Sequence, residues 1–239
     1  MKGVCLCGGS GTRLKPLTNI ISKCLLPIHD KPMVFYALKT LVDAGIDEII
    51  LVCGGTFNGE FMKVIGDGKD LGIKNLCYTV QREPKGIAHA LATAESWAKG
   101  DSVALILGDN IFTDNIKDVA KNFSSGASVF LKEVANPQAY GVVEINEQSK
   151  VLSIEEKPAC PKSNLIATGL YMYDQTVWNR IRDLKPSNRG EYEITDLNKN
   201  YLETGELNSY KLSGWWADCG GSLDEYTKTC FDFYQMKGN

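Results

Sequence analysis

Apolar and polar positions along the chain fall into two rhythms. Up to about residue 112, short apolar runs alternate with segments in which apolar residues recur every three or four positions. The runs predict strands over 2–7, 48–53, 75–80 and 102–107. Between them, Asp30-Lys31-Pro32 marks a helix start, with an acid near the cap and proline in the first turn, and Gly45 closes that helix. Further helices are predicted over 57–65 and 87–98, the latter ending before Gly100. Such a strand–helix order implies a mostly parallel, doubly wound α/β sheet with helices on both faces, in which ligands sit at the carboxyl ends of strands. The segment 8–13, Gln81 and Asp109 all fall at such ends.

After residue 112 the spacing shortens. Strand-like stretches over 127–134, 141–146, 150–156 and 166–174 are mostly too closely connected to admit helices, so antiparallel strands are expected to extend the sheet and raise a second wall. Helices are predicted over 176–184, 194–203 and 222–236. Without a Pro/Gly/Ser-rich linker, low-complexity run or internal repeat, the chain reads as one composite domain over 1–239.

Composition narrows the setting. The 44% apolar fraction of 239 residues supplies a sizeable core. No run approaches the ~20 apolar residues of a membrane span and no charged-then-apolar leader opens the chain, so a soluble, cytoplasmic protein is expected. Of the eight cysteines, Cys5, Cys7, Cys53 and Cys77 lie in apolar strand-like runs, where cysteine acts as a small hydrophobe. There is no CxxC pair, and His29 and His89 are the only histidines, which leaves a zinc site without support and favours reduced thiols. A net charge of −3 without a basic cluster argues against nucleic-acid and membrane partners.

The segment with the strongest chemical content is Gly8-Gly9-Ser10-Gly11-Thr12-Arg13. Its glycines let successive backbone N–H groups converge on an anion, Thr12 adds a hydroxyl donor, and Arg13 adds a planar, permanently charged fork suited to phosphate oxygens. Residues 1–29 carry Lys2, Arg13, Lys15 and Lys23 and no acid. A phosphate cradle explains these features together; a tight turn after the first strand explains only the glycines. The loop lacks the Gly-Lys-Ser/Thr ending of a P-loop. It meets the dinucleotide fingerprint only in part, since Leu14 stands where the third glycine belongs and no ribose-binding acid follows Cys53-Gly54, so a nicotinamide dehydrogenase is a weak alternative.

Taken with the remaining motifs, the chain resembles the sugar-1-phosphate nucleotidylyltransferases, with most likeness to their glucose-1-phosphate thymidylyltransferase branch. The opening Leu6-Cys7-Gly8-Gly9-Ser10-Gly11-Thr12-Arg13-Leu14 is similar to the family's first motif, with Cys7 in place of alanine. Ser22-Lys23, Leu26-Pro27, Asp30-Lys31-Pro32-Met33, Leu107-Gly108-Asp109-Asn110, Tyr140-Gly141-Val142-Val143-Glu144 and Glu155-Glu156-Lys157-Pro158 follow in family order. Thr168-Gly169-Leu170-Tyr171, Arg189-Gly190-Glu191, Glu193-Ile194-Thr195-Asp196 and Trp216-Ala217-Asp218-Cys219-Gly220 complete the set. The resemblance implies a Rossmann-like, GT-A-like nucleotidyltransferase fold, with a nucleotide-binding half over 1–112 and a sugar-phosphate-binding half over 113–239. Feedback-regulated relatives are longer and carry extra C-terminal helices, so a short form is expected here. His89 stands where thymidylyltransferases tend to have Gln and is more reminiscent of uridylyltransferases.

The resemblance also implies roles. In the family's reaction a sugar-1-phosphate oxygen attacks the α-phosphate of a nucleoside triphosphate and pyrophosphate leaves. Arg13, Lys23 and Lys157 are then the catalytic cations. Gly8, Gly9, Gly11, Thr12, Arg13, Gln81, Gly86 and Asp109 bind the nucleotide. Gly141, Glu156, Lys157, Gly169 and Tyr171 bind the sugar phosphate, and Asp109 with Asp218 hold Mg²⁺. Gln81 can offer one acceptor and one donor, matching N3–H and a carbonyl of thymine or uracil. Each assignment has a plainer counterpart: a solvated lysine, a helix-cap aspartate, a tyrosine that merely favours strands. Lys15 and Lys85 are read as such surface cations. The implied partners are dTTP or UTP and a hexose-1-phosphate, with a homo-oligomer as a further option. Competing readings are another base or sugar phosphate, or a catalytically silent sensor, whose mark would be loss of Arg13, Asp109, Lys157 or Asp218; all four are present.

Overall fold

The computed structural model describes residues 1–55 and 57–238. Nine strands share one sheet: β1 (Lys2–Cys7), β2 (Glu48–Gly54), β3 (Asn75–Gln81), β4 (Val103–Leu107), β5 (Ala127–Glu133), β6 (Gly141–Ile145), β7 (Val151–Glu156), β8 (Leu165–Tyr173) and β9 (Leu207–Lys211). The first four are mutually parallel in the order β3-β2-β1-β4. Alternate residues of β1 feed opposite cores. Val4 and Leu6 pack in a cluster with Leu91, Trp178 and Leu197, while Cys5 and Cys7 pack with Leu38, Leu41 and Phe61. Helices therefore cover both faces, which is why the central strands are near-continuous apolar runs.

The expected antiparallel extension is present, and its registry creates the site. One edge of β8 pairs along much of its length with β5. The other edge is shared: Leu170–Tyr173 pair with β4, whereas Ile166 and Ala167 pair with β6. Thr168 and Gly169 lie between these two registers, where β4 has ended and the β6–β7 hairpin begins. A gap thus opens at the carboxyl ends of the parallel strands, with the hairpin as its far wall.

A two-stranded antiparallel ribbon, Asn110–Phe112 with Trp216–Asp218, closes the gap from below. Asp114 clamps its open end, accepting from the backbone N–H groups of Ser213 (3.0 Å) and Gly214 (2.9 Å). Ile111 and Ala217 of the ribbon pack in a third cluster with Leu14, Ile28, Met33 and Phe233. Phe233 belongs to the C-terminal helix Leu223–Lys237, whose Ser222 hydroxyl accepts from the Glu225 N–H at 3.1 Å, an ordinary N-cap.

Most predicted elements recur within two residues, and several points differ. The helix expected over 87–98 is two pieces, Ile87–Ala92 and Glu95–Ala98; between them the Thr93 hydroxyl bonds back to the Ala90 carbonyl at 2.7 Å, competing with the helix ladder. Asp30 does not cap the first helix. Lys31–Pro32 pairs with Pro27–Ile28, Asp30 accepts from the Tyr36 hydroxyl at 3.3 Å, and the helix runs Met33–Asp43. A short helix, Lys117–Asn122, and strand β9 were not expected. β9 pairs parallel to β5 at the sheet edge and buries only Leu207, so it lacks an apolar alternation. All eight cysteines are free thiols. Among the described residues no helix is long and apolar enough to cross a membrane.

Candidate active site

The gap at the strand ends is a cavity of about 340 Å³. Gly8, Gly9 and Arg13 from the loop after β1, Gln81 from the end of β3, and Gly86 form its first wall. Lys23, Asp109 and Asp218 lie at the centre. Gly141, Glu156, Lys157, Gly169 and Tyr171 form the second wall. Gly11 and Thr12 stand back from the cavity. The Gly11 carbonyl accepts from the Thr18 hydroxyl at 2.7 Å, and Thr12 begins an exposed 3₁₀ turn, Thr12–Leu14, which buries Leu14 and turns Arg13 inward.

The centre is built from three separate parts of the chain. Asp109 follows β4 after Gly108, whose N–H donates to the Leu6 carbonyl at 2.8 Å and keeps that turn against β1. The ribbon sets Asp218 opposite Asn110, and the Cys219 N–H donates to the Asp109 carbonyl at 2.9 Å. Lys23 enters on a 3₁₀ turn, Lys23–Leu25, and donates to Asp109 Oδ2. Asn110 Nδ2 donates to Asp109 Oδ1 at 3.1 Å, and Asn110 Oδ1 accepts from the Gly169 N–H (3.1 Å) and Trp216 Nε1 (2.9 Å). A Cβ on Gly220 would overlap Asp109 Oδ2 and approach Lys23 Nζ to 2.9 Å, so a side chain there would displace the pair.

The charges at this centre do not balance. Burial opposes ionisation of Asp109, but the Lys23 ammonium outweighs it and holds the carboxyl below its usual range. Burial likewise opposes the Lys23 charge, and Asp109 overcomes it, so the ammonium is held more firmly than usual. Among the described residues, Asp218 has only the Gly220 N–H, at 2.9 Å, as a hydrogen-bond donor. Its burial, with the nearby charge of Asp109, pushes its carboxyl up to about 6. Two carboxylates, Asp109 buried and Asp218 half-buried, thus share one ammonium.

The second wall is a network of its own. Glu156 Oε2 accepts from the Thr195 hydroxyl at 2.5 Å, and Oε1 lies 3.5 Å from both Lys157 Nζ and Arg189 Nη2. Lys157 adopts φ 45°, unusual for a residue with a Cβ, and its N–H donates to the Tyr140 carbonyl at 2.9 Å. Arg189 grips both carboxylate oxygens of Glu193 at 2.9 Å. Arg189, Glu193, Thr195, Asn110 and Trp216 line the cavity without having been assigned to it from sequence. Their motif blocks were visible, but Arg189, Glu193 and Thr195 reach the cavity only where a helix start folds over the end of β7, and Asn110 and Trp216 only where the ribbon pairs. Trp216 meets the Tyr140 ring edge-on at 5.8 Å beside the cavity, whereas Trp215 packs against Phe233 at 5.7 Å; Lys85 is an exposed cation paired with Glu83.

A doubly wound sheet whose strand ends carry a glycine-rich loop with an inward arginine, facing a buried Lys–Asp–Asp centre and an antiparallel second wall, defines a nucleotide-handling transferase. The chain belongs to the nucleotidyl transferase family, whose model matches residues 2–232. Among curated relatives it is 47% identical over 227 residues to a glucose-1-phosphate thymidylyltransferase of Neisseria meningitidis, covering 92% of this chain and 78% of that one. A glucose-1-phosphate thymidylyltransferase of Mycolicibacterium smegmatis is also 47% identical, over 225 residues, with the same coverage. Among solved structures, one described as a Bacillus anthracis glucose-1-phosphate thymidylyltransferase with sucrose superposes with a TM-score of 0.91 at 40% identity, covering 97% of this chain and 94% of that chain. A UDP-glucose pyrophosphorylase complexed with UDP-glucose superposes with a TM-score of 0.84 at 26% identity, covering 98% of each.

Proposed function

We propose that this chain transfers a nucleotidyl group from dTTP or UTP to glucose-1-phosphate, giving the nucleotide-sugar and pyrophosphate. The observation that carries the reading is the Lys23–Asp109–Asp218 centre, set between a glycine-rich wall with Arg13 and Gln81 and a wall with Glu156, Lys157 and Arg189. The names of the relatives agree with it.

In this reading the triphosphate lies along Gly8, Gly9 and Arg13, and the base meets Gln81 and Gly86. The hexose hydroxyls meet Glu156, with Gly141, Gly169 and Tyr171 shaping the pocket, while Lys157 and Arg189 hold the sugar phosphate. An oxygen of that phosphate forms a new bond to the α-phosphorus as the bond to the bridging oxygen of pyrophosphate breaks, so no proton need leave the nucleophile. The chain's task is to bring two polyanions together and stabilise charge on the α-phosphate and the leaving group, with Lys23 and Arg13 as the cations nearest the triphosphate.

The unbalanced carboxylates at the centre fit a hard divalent cation. Asp109 and Asp218 would hold Mg²⁺, an ion that takes one or two carboxylates and fills its remaining positions with water and phosphate oxygens. Among the described residues no group of three or more His, Cys, Asp or Glu side chains is poised to hold a metal. Bound there, the ion supplies electrostatic neutralisation of the phosphates.

Residues 1–112 and 113–239 act as one unit in this reading, because the centre takes Lys23 and Asp109 from the first and Asp218 from the second. The reading takes the cytoplasm as the setting, and a homo-oligomer is compatible with it. The test is product identification by ³¹P NMR after incubation with Mg²⁺, dTTP and glucose-1-phosphate. Resonances of a sugar nucleoside diphosphate together with pyrophosphate support the reading. Hydrolysis of dTTP to the monophosphate, or no turnover with any pyrimidine triphosphate, contradicts it.

A further inference from the structure

We infer that His89 is a positioning residue that sets base preference by fixing the Gln81 amide with only its oxygen toward the cavity; the inference rests on the nucleotide reading of this site. Gln81 ends β3, is only 5% exposed and lines the cavity. Its Nε2 lies 3.2 Å from the Gly86 carbonyl and 3.0 Å from His89 Nδ1. A carbonyl only accepts, which identifies the amide nitrogen as the atom on that side. An amide nitrogen carries two hydrogens, so the Gly86 carbonyl takes one and His89 Nδ1 accepts the other, leaving the ring proton on Nε2.

The rest of the arrangement keeps these acceptors still. Gly86 has φ 99°, and its missing side chain lets the backbone press on Tyr192, where a Cβ would come within 2.5 Å of the carbonyl oxygen. The Tyr192 N–H donates to the Lys85 carbonyl at 2.8 Å and its carbonyl accepts from the Ala88 N–H at 3.2 Å, tying the segment on both sides of Gly86. The Tyr192 ring stacks on the His89 imidazole at 6.0 Å and 24°.

Gln81 Oε1 makes no hydrogen bond with any described residue. It faces the glycine-rich loop, 3.1 Å from where a Cβ on Gly8 would stand. The sequence alone suggested that this side chain offers a base one donor and one acceptor. With both hydrogens engaged inside the protein it offers an acceptor alone. An acceptor complements the imide N–H of thymine or uracil and opposes the unprotonated ring nitrogen of cytosine, lone pair against lone pair. Removing His89 leaves one buried amide hydrogen without a partner and frees the amide to turn.

The test is equilibrium binding of dTTP, UTP and CTP, by calorimetry, to the native chain, His89→Leu and His89→Gln. The triphosphate is common to all three ligands, so the ratio of dissociation constants isolates the base. The native chain should favour dTTP and UTP over CTP. That ratio should fall by about tenfold in His89→Leu, the size of one neutral hydrogen bond. It should recover in His89→Gln, whose amide oxygen can accept from Gln81. An unchanged ratio in His89→Leu, or failure of His89→Gln to recover it, overturns the inference and leaves nucleotide binding intact. Failure of the native chain to bind any of the three removes the nucleotide reading and the inference with it. ¹⁵N NMR of the native imidazole tests the same point without a variant. The neutral ring should carry its proton on Nε2, and an Nδ1–H ring overturns the inference.

Discussion

Lys23 donates to the carboxylate of Asp109, 86 residues further along the chain, and through it the loop that follows β1 is joined to the end of β4. Asp218 reaches the same point from the opposite direction on its ribbon strand, without a cation of its own. The electrostatic arrangement therefore predicts different outcomes for the two acids.

Asp109→Asn removes the partner of a buried ammonium as well as a metal ligand. Activity should fall at least about 10²-fold, and stability by about 1–3 kcal/mol. Asp218→Asn should lose activity to a similar degree while stability holds or rises, because it relieves a half-buried carboxylate that has no ion-pair partner of its own among the described residues. Pyrophosphate release and thermal melts, taken on the same preparations, separate the two. Full turnover by either variant would remove its carboxylate from the centre.

Lys157 combines an unusual backbone conformation with a position between Glu156 and the cavity. Lys157→Ala should reduce kcat/KM by roughly 10²-fold or more, the scale of losing one charge-stabilising donor. Lys157→Arg should restore little, since a planar fork replaces a compact point charge. Steady-state kinetics in glucose-1-phosphate concentration is the check, and an unchanged kcat/KM for the alanine variant would assign Lys157 to the surface.

Asp114 does not line the cavity, yet it accepts two backbone N–H groups from the segment that leads into the strand delivering Asp218. Asp114→Ala should lower stability by about 1–3 kcal/mol and raise the Mg²⁺ concentration needed for half-maximal activity by several-fold. The melting temperature and a metal titration give the two numbers. A loss of stability with no change in metal dependence would limit Asp114 to holding the fold.

Away from the cavity, Asp174 accepts from the Gly126 N–H (2.7 Å), the Thr176 N–H (3.0 Å) and the Tyr201 hydroxyl (3.2 Å). Burial opposes its ionisation, but these donors, led by Thr176, hold its carboxyl below the ordinary range. A depressed folded value means that the unfolded chain binds the proton first. Its stabilising contribution is thus complete above about pH 4 and is lost as pH falls through the folded value. Asp174→Asn should therefore flatten the acid limb of a plot of melting temperature against pH, and an identical limb would exclude Asp174 as its source.

The legibility of these features follows from how local each one is. The strand Lys2–Cys7 and the helix Ile194–Glu203 match expectation to the residue, because the first is a near-continuous apolar run and the second buries residues three to four apart. β9 escaped because its sequence, Leu-Asn-Ser-Tyr-Lys, carries one buried residue and owes its existence to pairing with β5. The ribbon escaped for the same reason: three residues at either end of a 100-residue excursion become strands only together. The motifs pointed to Asp109, Asp218 and Lys157 through resemblance alone. That Lys23 hydrogen-bonds to Asp109 while Asp218 stays outside that bond, that Arg189 grips Glu193, and that both Gln81 amide hydrogens are engaged are properties of the folded arrangement.

The measurement that bears most directly on the account is pyrophosphate release with Mg²⁺ across dTTP, UTP, CTP, ATP and GTP, each against glucose-, galactose-, mannose- and N-acetylglucosamine-1-phosphate. The account predicts release that requires both substrates, is greatest for dTTP or UTP with glucose-1-phosphate, and disappears in Asp218→Asn. Release without a sugar phosphate, or silence across the grid from a folded chain that still binds nucleotide, would contradict it.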